Sequence, residues 1–365
     1  MADATIDQLK AHLCAFMVPY TAAPLGSKGT AFTIAGTPDD RRVEITLGFP
    51  AARSGPALAA ALEAHCASLG WSKAPTFVLK SVIQGHAVQQ GLKPLEGVSN
   101  LIAVASGKGG VGKSTVAVNL SVALAQEGAR IGLLDADIYG PSQPRMLGLS
   151  GQRPESRDGK TLEPLAAHGI QAMSIGFLVD DRQPMAWRGP MVTSALTQLL
   201  GETHWADLDY LVIDMPPGTG DIQLTLAQRV PVSGAIIVTT PQEVALADAR
   251  KGLEMFQKVN VPILGIVENM GLHVCSNCGQ EEAIFGQSGG QRLATDYGLA
   301  LLGSLPLDRL IHEHSEQGTP SVAADPDSPL AQRYRELALR AAGALAATSK
   351  DYSKLFPKIT VEDSA

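Results

Sequence analysis

A doubly wound α/β sheet preceded by a small α+β unit is what this sequence predicts, on two observations. From Leu101 onward, short apolar runs recur without alternation: LIAVAS (101–106), RIGLLD (130–135), IQAMSI (170–175), YLVIDM (210–215), GAIIVTT (234–240), PILGIVEN (262–269) and LALLGSLP (299–306). Strands of that kind are buried on both faces, and helix-like stretches between most of them, such as 113–127 and 243–258, imply parallel crossovers. The stretch before residue 100 lacks this texture, and a chain of 365 residues exceeds one domain of common size.

In the first unit, residues 4–16 and 55–69 read as helices, with Ile6, Leu9, Leu13 and Phe16 at helical spacing. Ala31–Gly36 and Arg42–Leu47 read as strands around the turn-rich Thr37-Pro38-Asp39-Asp40, and Thr76–Ile83 as another strand. The expected division is 1–85 for this α+β unit, 86–99 for a linker with weak periodicity, 100–348 for the larger domain and 349–365 for a polar, flexible tail. Residues 328–347 read as the closing helix.

Composition narrows the function classes. A hydrophobic share of 45% with 18% charged residues is that of a globular protein. A net charge of −7 supplies no broad basic face for nucleic acid. No apolar run approaches the roughly 18–20 residues that span a bilayer, and MADATIDQLK lacks the basic and apolar regions of a secretory signal. Four cysteines in so long a chain do not form a disulfide framework, so a reduced, cytoplasmic setting is expected.

The run LIAVAS leads into Gly107-Lys108-Gly109-Gly110-Val111-Gly112-Lys113-Ser114, followed by Thr115 and a helix-like stretch, which satisfies G-x-x-x-x-G-K-[ST]. Glycines let successive backbone N–H groups turn toward phosphate oxygens, and the helix presents its positive end to the same anion. Lys113 is expected at the β- and γ-phosphates of ATP, and the Ser114 hydroxyl on Mg²⁺. Asp214 ends the buried run YLVID, on the ligand-binding edge of such a sheet, where it can hold a metal-bound water. Asp135 and Asp137 end another run, so one can serve Mg²⁺ while the other positions the attacking water; one of them can equally be a turn former.

Lys108 is a second lysine that the basic motif does not require. It resembles the signature of deviant Walker A ATPases, a class of P-loop NTPases including partition, septum-site and arsenical-pump ATPases and the nitrogenase iron protein. That likeness implies that Lys108 reaches the nucleotide of a partner chain and that dimerisation is coupled to ATP.

Cys275-Ser276-Asn277-Cys278 places two thiols at chelating spacing, half of a tetrahedral site. A symmetric dimer completes the count by bringing two such pairs together. Zinc satisfies the same geometry, and a redox dithiol is a third reading. Cys14 and Cys66 stand singly on the first unit's expected helices, Cys66 among apolar neighbours as a core residue.

In order, SGKGGVGKST, LLDADIYGPSQPRMLG, VIDMPPGTGD, PQEVALADARKGLEMF and GIVENMGLHVCSNCG closely resemble the Mrp/ApbC family of iron–sulfur cluster carrier ATPases, over residues 99 to 345. The resemblance implies a homodimer with a labile [4Fe-4S] cluster bridging Cys275 and Cys278 of both chains, delivered to apo iron–sulfur proteins under ATP control. It makes Asp137 the switch I carboxylate, puts Asp214 and Gly218 in switch II, and sets Asn269, at its strand's end, to read the adenine edge. Residues 1–85 resemble the small domain often fused ahead of these ATPases, with a departure. Its usual Asp-Pro-Glu and Cys-Pro motifs are replaced by Thr21-Ala22-Ala23-Pro24 and Gly48-Phe49-Pro50-Ala51-Ala52-Arg53, so no cluster ligand is expected there.

Two rival readings remain at this point. A positioning ATPase cycling on a membrane is disfavoured by the ending DYSKLFPKITVEDSA, where Pro357 interrupts any amphipathic helix and acids follow. A zinc-stabilised nucleotide-binding scaffold is separated from a carrier by metal content.

Overall fold

The computed structural model describes residues 6–37, 40–67, 74–156, 158–179, 189–275 and 277–348. The expected tail from residue 349, the turn residues Pro38 and Asp39, Ser276 and the end of the helix expected at 55–69 lie outside them.

The first unit runs α1 (Ile6–Ala15), β1 (Met17–Val18), β2 (Ala23–Pro24), β3 (Thr30–Ala35), β4 (Arg42–Leu47), α2 (Gly55–Ala67) and β5 (Thr76–Ser81). β4 is central, antiparallel to β3 and parallel to β5. Its period-two pattern buries Val43, Ile45 and Leu47, and Leu9 and Leu13 of α1 join Leu58 and Leu62 of α2 in the same buried core. Cys66 is buried in this core, whereas Cys14 is exposed.

The larger sheet begins with β6 (Leu101–Ser106), α3 (Lys113–Gln126), β7 (Ile131–Asp135), α4 (Gln143–Met146), β8 (Leu165–Ala167) and β9 (Ile170–Ser174). It continues through α5 (Gly189–Glu202), β10 (Tyr210–Asp214), α6 (Asp221–Arg229), β11 (Gly234–Thr239), α7 (Glu243–Lys258), β12 (Ile263–Val274) and β13 (Glu281–Glu282). α8 (Gly289–Asp296), β14 (Leu301–Leu307), α9 (Arg309–Glu316), α10 (Ser321–Ala324) and α11 (Pro329–Ala346) close it. The order is β8-β9-β7-β10-β6-β11-β12-β14, with β13 also on β12; only the β8–β9 and β12–β13 pairs are antiparallel. β6, β7, β10 and β11 are buried at every residue, as unalternating apolar runs require. The chain departs from β6 in both directions, so the crevice at its carboxyl end is the topological switch point.

Residues 86–99, read as a linker, are packed against the larger domain, at the end of α6 and beside the start of β10. Gln89 is buried, and its Nε2 donates to the carbonyls of Ala227 (2.8 Å) and Val230 (3.1 Å) while its Oε1 accepts from Val232 N (2.9 Å). Val98 bridges Leu208 in parallel register.

The first unit is also held at the far end of the P-loop helix. Glu127, the C-cap of α3, is 1% exposed, and its Oε2 accepts from Arg53 N, Ser54 N and Ser54 Oγ, each at 3.0 Å, just before α2. A carboxylate at a helix N-terminus answers its unpaired N–H groups and its dipole. Glu127→Ala should lower stability by about 2–3 kcal/mol, because charge-assisted bonds are lost and donors are left in a closed interface. A denaturant midpoint unchanged from wild type would show that this contact holds nothing.

Candidate nucleotide and thiolate sites

The loop between β6 and α3 is built for close approach. A Cβ on Gly107 would lie 2.1 Å from the Asp248 carbonyl carbon of α7, so only glycine lets the loop pass. Gly112 sits at φ 81°, and a Cβ there would meet Asn269 Nδ2 at 2.1 Å. Lys108 is half-exposed at the rim, and Gly109 and Gly110 are exposed.

Lys113 is the first residue of α3 and is 6% exposed. Its ammonium is ion-paired with Asp214 Oδ1 and lies 3.2 Å from Ser114 Oγ. Asp214, wholly buried, ends β10 in register with Asp135, which ends β7 and is also wholly buried. Sheet register therefore sets the two carboxylates side by side, next to one cation. Asp135 Oδ2 accepts from Gln143 N and Ser174 Oγ, both at 3.1 Å, and its Oδ1 accepts from Asp137 N at 3.2 Å. Asp214 Oδ2 accepts from Gln143 Nε2 at 2.8 Å. Ser114, Asp135 and Asp214 form an all-oxygen donor set, which fits Mg²⁺.

Burial, and then the neighbouring Asp214 charge, push the Asp135 carboxyl up to about 7. Burial also raises half-buried Asp137, against the pull of Lys113. An Asp ordinarily titrates near 3.8, so between that value and about 7 the folded chain holds a proton that the unfolded chain has released. Stability of the nucleotide-free protein should fall as pH rises through that window and level off above it. Asp135→Asn should flatten the slope in a denaturant-midpoint series across pH; equal slopes in the two proteins would refute this cause.

The loop at residues 215–220, expected to be switch II, follows β10. Gly218 N donates to the Ser106 carbonyl at 3.0 Å, and Gln223 Nε2 bonds the Pro217 carbonyl, so this loop lies against the end of β6.

Asn269 lies within its strand and not at the strand's end. Its strand continues to Val274, and its Nδ2 donates to the Val111 carbonyl at 2.9 Å at a buried position. One N–H of the Asn269 amide is therefore engaged by the phosphate loop. The preceding residue, buried Glu268, accepts from Gly290 N at the start of α8 (2.6 Å) and from Ser304 Oγ (3.2 Å).

β12 leads directly into the cysteine pair. His273 and Val274 pair with Glu282 and Glu281 of β13, Cys275 N donates to Gln280 O (2.9 Å), and Gly279 N to Cys275 O (2.8 Å). The pair thus occupies the tip of a tight hairpin, Cys275 half-buried and Cys278 exposed. The backbone N–H groups of Asn277 and Cys278, and then the Cys278 thiol, lower the Cys275 thiol below the usual range, while burial raises Cys66. Donors aimed at a sulfur stabilise the thiolate that a metal needs. Among the described residues no group of three or more His, Cys, Asp or Glu is gathered as a metal site, so one chain supplies two thiols.

Sequence reasoning missed Gln143, Glu127 and Glu268. Each is a polar residue beside a recognised motif, and only its burial distinguishes it from a solvated one.

Residues 97–342 match the family described as ParA: NUBPL iron-transfer P-loop NTPase. The iron-sulfur cluster carrier protein of Pseudomonas fragi is 61% identical over 262 residues, covering 72% of this chain and 91% of that protein. The protein of the same name from Escherichia coli strain K12 is 59% identical over 251 residues, covering 69% and 68%. A solved structure of the nucleotide-binding protein from Archaeoglobus fulgidus, in complex with ADP, superposes with a TM-score of 0.55 at 40% identity, over 61% of this chain and 88% of that one. The α/β P-loop fold and the carrier-family likeness read from the sequence both stand, and the chain belongs to the NUBPL iron-transfer P-loop NTPase family.

Proposed function

We propose that this protein is an ATP-hydrolysing carrier that holds a labile [4Fe-4S] cluster between two copies of itself and passes it to apo iron–sulfur proteins. The observation that carries the reading is the hairpin tip. It offers two accessible thiols, one of them lowered by backbone donors, on the strand whose Asn269 grips the phosphate loop. Two thiolates per chain are half of what a four-iron cluster takes, so the cargo needs a second copy.

In this reading the N–H groups of Gly107 to Thr115 wrap the phosphates and Lys113 exchanges Asp214 for the β- and γ-phosphates. Ser114, Asp135 and Asp214 hold Mg²⁺, which supplies charge neutralisation on the phosphate oxygens when bound. Asp137 orients the attacking water, with its acid raised by burial toward a useful range for accepting a proton. Lys108, at the rim, acts on the partner copy's nucleotide. Asn269 acts on the nucleotide through the loop carbonyl. The units 1–85 and 100–348 are separate folding domains, and the first contributes no thiolate, since Cys66 is core and the exposed Cys14 stands singly. The acidic charge, and the lack of any helix among the described residues long and apolar enough to cross a membrane, favour a cytoplasmic carrier without nucleic-acid or stable membrane attachment.

The test is anaerobic loading with iron and sulfide, followed by transfer to an apo-ferredoxin with and without Mg·ATP. Iron uptake and nucleotide-sensitive transfer are expected. Tight zinc shared by two chains, with no iron uptake, would leave the scaffold reading in its place.

A further inference from the structure

Gln143 is the first residue of α4 and is 1% exposed, in a stretch whose sequence, Gly140-Pro141-Ser142-Gln143-Pro144, reads as a surface turn. Both of its donor groups are directed at the carboxylate pair. Its backbone N–H goes to Asp135 Oδ2 at 3.1 Å, and its Nε2 goes to Asp214 Oδ2 at 2.8 Å and to the Ser114 carbonyl at 3.1 Å. Both neighbours of the amide nitrogen are acceptors, so the orientation of the amide is fixed. Its Oε1 is buried with no hydrogen-bond partner among the described residues. An unanswered buried acceptor carries a desolvation cost, so the donor side is where this residue contributes.

Lys113 and Gln143 hold opposite oxygens of Asp214: Lys113 takes Oδ1 and Gln143 takes Oδ2. We propose that Gln143 is a positioning residue that reserves Asp214 Oδ2, so that Oδ1, once Lys113 moves to phosphate, is the oxygen turned toward Mg²⁺. This rests on the reading of Lys113 and Asp214 given above. Departure of Lys113 leaves two adjacent buried carboxylates without their cation. Like charges side by side drive such groups apart or around their side-chain torsions. Gln143 opposes that by giving each carboxylate one donor from a single residue, and its third bond, to the Ser114 carbonyl, ties that donor to the first turn of α3.

The experiment is Gln143→Met, which preserves length and volume and the backbone N–H but has no side-chain donor. Binding of a non-hydrolysable ATP analogue is measured by calorimetry without metal and across a Mg²⁺ titration, beside wild type and Asp214→Asn. Metal-free binding should stay within about twofold of wild type, while the Mg²⁺ needed for half-saturation rises about tenfold, the size of one charge-assisted hydrogen bond. Hydrolysis should show a lower kcat at saturating Mg²⁺ with KM for ATP little changed. A purely structural role would weaken metal-free binding and leave the Mg²⁺ requirement alone, and that result overturns the proposal. A raised Mg²⁺ requirement in Asp214→Asn with a wild-type one in Gln143→Met overturns the proposal but keeps the role of Asp214. A wild-type requirement in Asp214→Asn overturns the underlying reading and the proposal with it.

Discussion

Lys113→Ala should abolish ATP binding, with affinity weakened by at least about 100-fold. Among the described residues the side chain is the one cation buried at the carboxyl end of β6 and β10, and the loop's neutral N–H groups cannot replace a full charge at the phosphates. The same substitution strands Asp214 and Asp135 together, so the nucleotide-free protein should also lose stability. Removing one partner of a buried pair costs about 3–5 kcal/mol. The two effects separate in Lys113→Ala with Asp214→Asn: stability should return in large part, and binding should not. Wild-type nucleotide affinity in Lys113→Ala would end the assignment of this loop as the phosphate site.

The second large effect concerns cargo. Cys275→Ala and Cys278→Ala should each remove the bound iron and the brown colour of the reconstituted protein, whereas ATP binding through Lys113 persists. Wild type should hold one four-iron cluster per two chains, because the hairpin tip provides two thiolates and a [4Fe-4S] cluster takes four. Cys14→Ala with Cys66→Ala should load normally, at some cost in stability from the small void left at Cys66. Full iron content in either hairpin variant, or its loss in the Cys14 and Cys66 variant, would move the cluster elsewhere.

How much of this was legible follows from what each residue must do. The strands β6, β7, β10 and β11 were legible because burial on both faces leaves no freedom for polar residues, and the phosphate loop because close backbone approach fixes its glycine and lysine spacing. The hairpin was not. Gly271 and His273 interrupt the apolar run after Asn269, and β13 is two exposed glutamates that carry no strand signal of their own. α9, RLIHEHSE, is short and has only Leu310 and Ile311 as apolar residues, too few to mark a buried helix. Gln143 and Glu127 were invisible for a different reason. A buried polar residue is recognised by its partners, and these partners lie 71 and 73 residues away in the chain.

Glu127 has one further consequence. Two domains joined by a connecting segment ordinarily reorient against each other. Here the first unit is pinned to the end of α3 by Glu127, and the connecting segment is itself fixed through Gln89 and Val98. The two units should therefore tumble together, with a single rotational correlation time for both sets of amides. In a dimer built around the shared cargo, each small unit would then hold a fixed bearing to the cluster, so an incoming acceptor would meet a surface of defined shape.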